Sequence, residues 1–128
     1  MREKRVMSMA AVGMVLLTTV ARAAEPPKKT PELLEIGKVS FNLNCASCHG
    51  AKGEGDGVAA AALNPKPRNF TTDALKNGAK VGQVFDTLGK GVPGTAMIAF
   101  THLPDDERWA LAYYVVDLRA KASKAKKK

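Results

Sequence analysis

An all-α domain of three to five short helices joined by long loops is what this sequence predicts, on three observations. Apolar residues recur at three- and four-residue intervals in stretches bounded by capping residues, prolines and glycines. No convincing pair of strands and no internal repeat occurs along the chain. Residues 50–69 carry Gly50, Gly53, Gly55 and Gly57, then Pro65 and Pro67, and read as one long loop.

The chain begins with a basic start, Arg2, Lys4 and Arg5, followed by an uncharged run of sixteen residues from Val6 to Ala21. Ala21-Arg22-Ala23 supplies a small-x-small cleavage pattern, so residues 1–23 are expected to be a secretory signal peptide. The run is short of the about 20 residues that span a bilayer comfortably; an uncleaved membrane anchor is the alternative. Residues 24–30 read as a linker. Thr30 is a plausible N-cap, with Pro31 at the first helical position and Glu32 and Glu35 near the positive end of the dipole. This first helix continues through Leu33, Gly37 and Phe41 toward Cys45, and Gly50 is placed to end it. After the long loop, a short helix is expected from Thr72 to Gly78, and another over Val81 to Lys90, with Val84, Phe85 and Leu88 inward and Gly91 closing it. Gly91 to Met97 is rich in turn residues. The last helix begins around Pro104, with Asp105, Asp106 and Glu107 in its first turn, and runs through Trp109, Tyr113 and Val116. Its apolar run from Trp109 to Val116 is eight residues, which suits a core helix and not a membrane span.

The formal charge of +8 misrepresents the folded part. Of twenty basic and twelve acidic residues, the leader holds four and one, leaving +5 on the expected mature chain. Six of the remaining basic residues lie in 119–128, so residues 24–118 carry about −1. The domain is therefore expected over 31–118, with 119–128 a basic, disordered tail. Contact of that lysine-rich tail with an acidic partner or an anionic membrane surface is the functional alternative. Nucleic acid is excluded as a partner, because an exported chain with no basic, aromatic-rich face offers it nothing to grip.

Cys45-Ala46-Ser47-Cys48-His49 carries the chemistry. A Cys-x-x-Cys-His run is the attachment site of a c-type haem: the two thiols add across the two porphyrin vinyl groups, and the following histidine ligates the iron. Three other chemistries use cysteines at this spacing. A dithiol redox site normally follows a strand in a βαβ unit, and here a helix precedes it. A zinc site needs four ligands, and His102 is the only remaining His or Cys. A structural disulfide across so short a loop would restrain little chain. The leader supports haem, since attachment to reduced thiols takes place outside the cytoplasm in bacteria. A domain with only seven aromatics in residues 31–118 also gains from a large apolar cofactor at its centre. The apo chain is expected to be largely unfolded; a cooperative, helical apo form by circular dichroism would contradict this.

Four of the five methionines lie in the leader, leaving Met97, 48 residues after His49, as the candidate second axial ligand. A gap-filling core methionine is the plainer reading of such a residue. His102 is the competing ligand; bis-His ligation would lower the reduction potential, because a thioether stabilises ferrous iron better.

With these residues in place, the chain resembles the monohaem class I cytochrome c family from about Leu33 to Leu118. The resemblance rests on Gly37 and Phe41 before the Cys45-Ala-Ser-Cys48-His49-Gly50 motif, the Gly-Glu-Gly-Asp-Gly loop, and Leu63 to Phe70. It extends to the Gly-Val-Pro-Gly-Thr-Ala-Met97 segment and the Glu107 to Val115 helix. It implies the small cytochrome c fold around one covalently attached haem and its iron. It implies that the first and last helices cross near a right angle, Gly37 approaching the aromatic face of Trp109 or Tyr113. It further implies that the carbonyl of Pro65 or Pro67 accepts the hydrogen bond from the other His49 nitrogen. Arg68 is a candidate partner for a haem propionate, a solvated loop arginine being the alternative. The chain departs from many relatives at Ile98, which replaces a proline after the ligand methionine, and at Pro104, where a capping Ser or Thr is common.

The function expected is one-electron transfer by a monomeric, soluble periplasmic carrier that docks transiently with redox partners; it is not an enzyme, since no residue is placed for acid–base chemistry. A variant is the haem subunit of a larger oxidoreductase. A different class is a sensor or enzyme that binds a small gas or peroxide at a vacated methionine position.

Overall fold

Thr30 opens the first helix as expected: its Oγ1 accepts the Leu33 N–H at 3.1 Å, and Pro31 occupies the first turn, where a missing N–H costs nothing. The structure, a computed structural model, describes residues 25–128, so the expected signal peptide at 1–23 lies outside the described residues. The elements are α1 (Pro31–Asn44), α2 (Ala46–His49), a 3-10 turn (Ala60–Ala62), α3 (Val81–Lys90) and α4 (Asp105–Ala125). Among the described residues there is no strand, in agreement with the all-α expectation. No helix among them is long and apolar enough to cross a membrane.

Helix α1 packs along α4, and α3 packs against the same helix. Gly37 makes the first contact possible. A Cβ there would collide with the Ala110 carbonyl and meet the Tyr114 Cβ at 2.9 Å. The close approach is thus to the backbone of α4 and to Tyr114, and not to the faces of Trp109 or Tyr113 as the resemblance implied. The backbone of α1 meets the backbone of α4 at this point. Gly37→Ala is expected to destabilise the holoprotein by about 1–3 kcal/mol, because α4 must move to admit one methyl group; chemical denaturation monitored by circular dichroism measures it.

Trp109 instead stacks on Phe85 of α3, with ring centroids 3.8 Å apart and planes within 9°. The Arg108 guanidinium lies over the other side of that pair, 4.8 Å from the Phe85 centroid. Helix α4 has no side-chain cap at Pro104. Three acidic residues, Asp105, Asp106 and Glu107, occupy its first turn, and the Asp106 Oδ1 accepts the Glu107 N–H at 2.9 Å. Phe41 and Leu111 are fully buried, and with Phe70, Val84, Leu88 and Val115 they form the hydrophobic core.

Three boundaries differ from expectation. The first helix stops at Asn44, and the motif forms its own short helix, α2, after a break at Cys45. The helix expected over Thr72 to Gly78 is absent. Side chains take the local backbone hydrogens there: Asn69 Oδ1 accepts the Thr71 N–H at 2.8 Å, and Asp73 Oδ2 accepts the Asn69 N–H at 3.1 Å. The domain end expected at Leu118 falls inside α4, so residues 119–125 are helical and not disordered. Ala120, Ala122 and Ala125 favour helix, Lys121 pairs with Asp117 at 2.9 Å, and Arg119 is tied into the fold.

Candidate functional site

A cavity of about 740 Å³ opens at the centre of the domain, within the size range of a cofactor site. Its walls are the core itself, for Phe41, Phe70, Val84, Leu88, Leu111 and Val115 all line it. Core residues that also face a cavity of this size suit a large apolar cofactor as part of the packing of so small a domain.

Cys45, Cys48 and His49 lie on this cavity. Helix α2 sets their spacing, and the glycine loop holds the helix in place. The N–H groups of Gly55, Gly57 and Ala59 donate to the carbonyls of His49 (2.8 Å), Cys48 (3.1 Å) and Ser47 (2.9 Å). Gly57 is required at this approach, since a Cβ would collide with the Ser47 carbonyl. The acidic Gly-Glu-Gly-Asp-Gly segment is thus a backbone brace for the motif. Cys45 and His49 are buried, whereas Cys48 is partly open. Burial, reinforced by the neighbouring Cys48, pushes the Cys45 thiol up to about 12. Burial lowers the His49 pKa, against the opposing pull of its backbone acceptor, and so favours the neutral ring that ligates metals.

That acceptor is the Arg68 carbonyl, 3.0 Å from His49 Nδ1. This corrects the expectation that Pro65 or Pro67 would supply it. The Pro67 carbonyl faces Gly55, close enough that a Cβ there would sit 2.8 Å away, so the next carbonyl along the chain turns toward the imidazole. With Nδ1 on the carbonyl, Nε2 is the nitrogen left for a metal. Phe70 stacks on the His49 ring at 4.4 Å and 18°. Pro65, Pro67 and Arg68 all line the cavity, together with Lys66 and Lys76. Those two lysines carried no signal in the sequence; they become visible only when the long loop and the segment after it fold over the same opening.

Met97 lines the same cavity and is half-buried, whereas His102 is exposed and is not part of the lining. The methionine loop is fastened without a proline at position 98. Val92 N–H donates to the Met97 carbonyl at 2.9 Å, Thr95 Oγ1 donates to the Val92 carbonyl at 2.7 Å, and the Met97 N–H donates to Thr95 Oγ1 at 3.1 Å.

A small all-helical domain whose core surrounds a cavity bearing two thiols, an oriented neutral imidazole and a thioether is a c-type haem protein. The family model described as cytochrome c matches residues 34–119, and the chain belongs to that family. Its cofactor is haem c with its iron, covalently bound, and Cys45 and Cys48 fit the attachment motif. Among solved structures, the chain is similar to a chain of the reducing HAO-like protein complex of Kuenenia stuttgartiensis, at 36% identity and a TM-score of 0.68. The match covers 73% of this chain and 47% of that one, so this chain corresponds to about half of its relative. No curated protein was found to match.

Proposed function

We propose that this protein is a periplasmic electron carrier in which His49 and Met97 ligate the haem iron. Cys45 and Cys48 tether the group. His49 presents Nε2 while Nδ1 donates to the Arg68 carbonyl, which fixes the ring and raises its basicity. Met97 presents its thioether from the fastened 91–97 loop. Lys66, Arg68 and Lys76 on the lining supply positive charge for propionate groups. When bound, the haem supplies a single-electron ferric/ferrous couple. The aromatic and aliphatic walls keep water from the iron, so little reorganises when the electron moves. The observation that carries this reading is the presence of Met97 on the cavity that holds the motif, with His102 outside it.

Export through the leader at residues 1–23 places the carrier in the periplasm, where it docks transiently as a monomer with redox partners. The exposed lysines from Lys124 onward are available to an acidic partner or anionic membrane surface. A visible spectrum and redox titration of the holoprotein test the reading. A reversible one-electron couple, with ferrous protein inert to carbon monoxide at neutral pH, is expected; carbon monoxide binding would favour the gas-binding sensor. A second reading, the haem subunit of a larger oxidoreductase, is favoured by the similar chain's place in a protein complex. Co-purification with a stable partner selects it.

A further inference from the structure

We propose that Arg119 is a positioning residue for the iron's imidazole ligand, acting through the loop that carries the Arg68 carbonyl. The inference rests on the assignment of His49 as ligand. Arg119 sits where the sequence reads as the start of a solvated basic tail. Its side chain, however, turns back into the fold and is half-buried, whereas Lys121 and Lys124–Lys128 outside it are exposed or paired at the surface. One guanidinium nitrogen, Nη1, donates to two loop carbonyls, that of Phe70 at 2.9 Å and that of Asp73 at 2.7 Å. From the other side, the Phe70 N–H donates to the Gly53 carbonyl at 2.7 Å. Phe70 is therefore gripped at both ends of its backbone, between the glycine brace and the last helix.

Two features of this segment bear directly on the imidazole. The Phe70 ring stacks on it, and the Arg68 carbonyl, two residues earlier, receives its Nδ1–H. Arg119 is thus one short stretch of backbone away from both contacts that set the ring's orientation. Among the described residues, no other side-chain donor reaches the Phe70 and Asp73 carbonyls. Removing the guanidinium leaves two carbonyls without their partner and lets the loop relax away from His49. The Nδ1–H bond then weakens, the imidazole becomes a poorer donor to iron, and the ferric state loses stabilisation relative to the ferrous state. An arginine suits the task, because it stays charged and a single guanidinium nitrogen carries two N–H donors, one for each carbonyl.

The test uses full-length holoprotein, with two readouts: the reduction potential, and solvent exchange of the His49 Nδ1 proton followed by NMR in the ferrous state. In Arg119→Ala the proton is expected to exchange at least about tenfold faster, and the couple to shift toward ferrous iron by a similar factor. Arg119→Lys, which keeps the charge and N–H donors but not the planar geometry, should recover part of both effects, and Lys121→Ala should match wild type. Unchanged exchange and potential in Arg119→Ala overturn the proposal. Should that variant fail to accumulate as holoprotein, Arg119→Gln, with its shorter amide donor, should show an intermediate shift in both readouts. Wild-type values in it overturn the proposal equally. A wild-type spectrum lacking the signature of histidine and methionine ligation defeats the ligand assignment itself, whatever Arg119 does. A wild-type protein that has the signature, paired with an indifferent Arg119→Ala, defeats only the clamp.

Discussion

Met97→Ala should abolish the long-wavelength sulfur-to-iron charge-transfer band of the ferric protein and open the ferrous protein to carbon monoxide. The reduction potential should fall by more than ~59 mV, the tenfold step for one electron, because a thioether stabilises ferrous iron and its loss removes that preference. His102→Ala should leave the band intact, since His102 is exposed and lies off the cavity. Absorption spectra of the two variants decide between the ligands. A band that survives in Met97→Ala and disappears in His102→Ala would reverse the assignment. The hydrogen bonds that close the 91–97 loop give this outcome its sharpness: Thr95 links Val92 to Met97, so the thioether is offered from a fastened turn although Ile98 follows it.

Phe41→Ala should produce the largest loss of stability of any core truncation, about 3–5 kcal/mol by denaturant titration of the holoprotein. Its ring is completely buried, meets the Tyr114 ring at 5.2 Å and the Phe70 ring edge-on at 6.2 Å, and lines the cavity. The ring thus belongs to the helix interface and to the cofactor wall at once, and a void there would loosen both. A loss below about 1 kcal/mol would mean that the wall is not continuous with the core.

Helix α3 and the start of α4 were legible because their signals are local: an apolar face in three turns, Gly91 as a stop, and acidic residues in a first turn. The haem motif was legible because covalent chemistry fixes its spacing. What the sequence concealed depends on backbone direction. Whether the carbonyl of Pro65, Pro67 or Arg68 faces His49 is decided by how the loop packs on Gly55, a contact made across the fold. The partner of Gly37 was hidden for the same reason, as the crossing point on α4 is set by every contact along both helices. The missing Thr72–Gly78 helix lost to short side-chain bonds from Asn69 and Asp73, which propensity alone does not weigh against helix formation. Arg119 was concealed by composition: in a run of lysines it reads as one more solvated charge, yet two carbonyls more than forty residues away define its place.

Mass spectrometry of the exported protein, produced in a host able to mature c-type cytochromes, tests the central claim most directly. The peptide containing Cys45 and Cys48 should carry the mass of one haem, and Cys45→Ala combined with Cys48→Ala should remove it. An unmodified wild-type peptide would contradict the whole account.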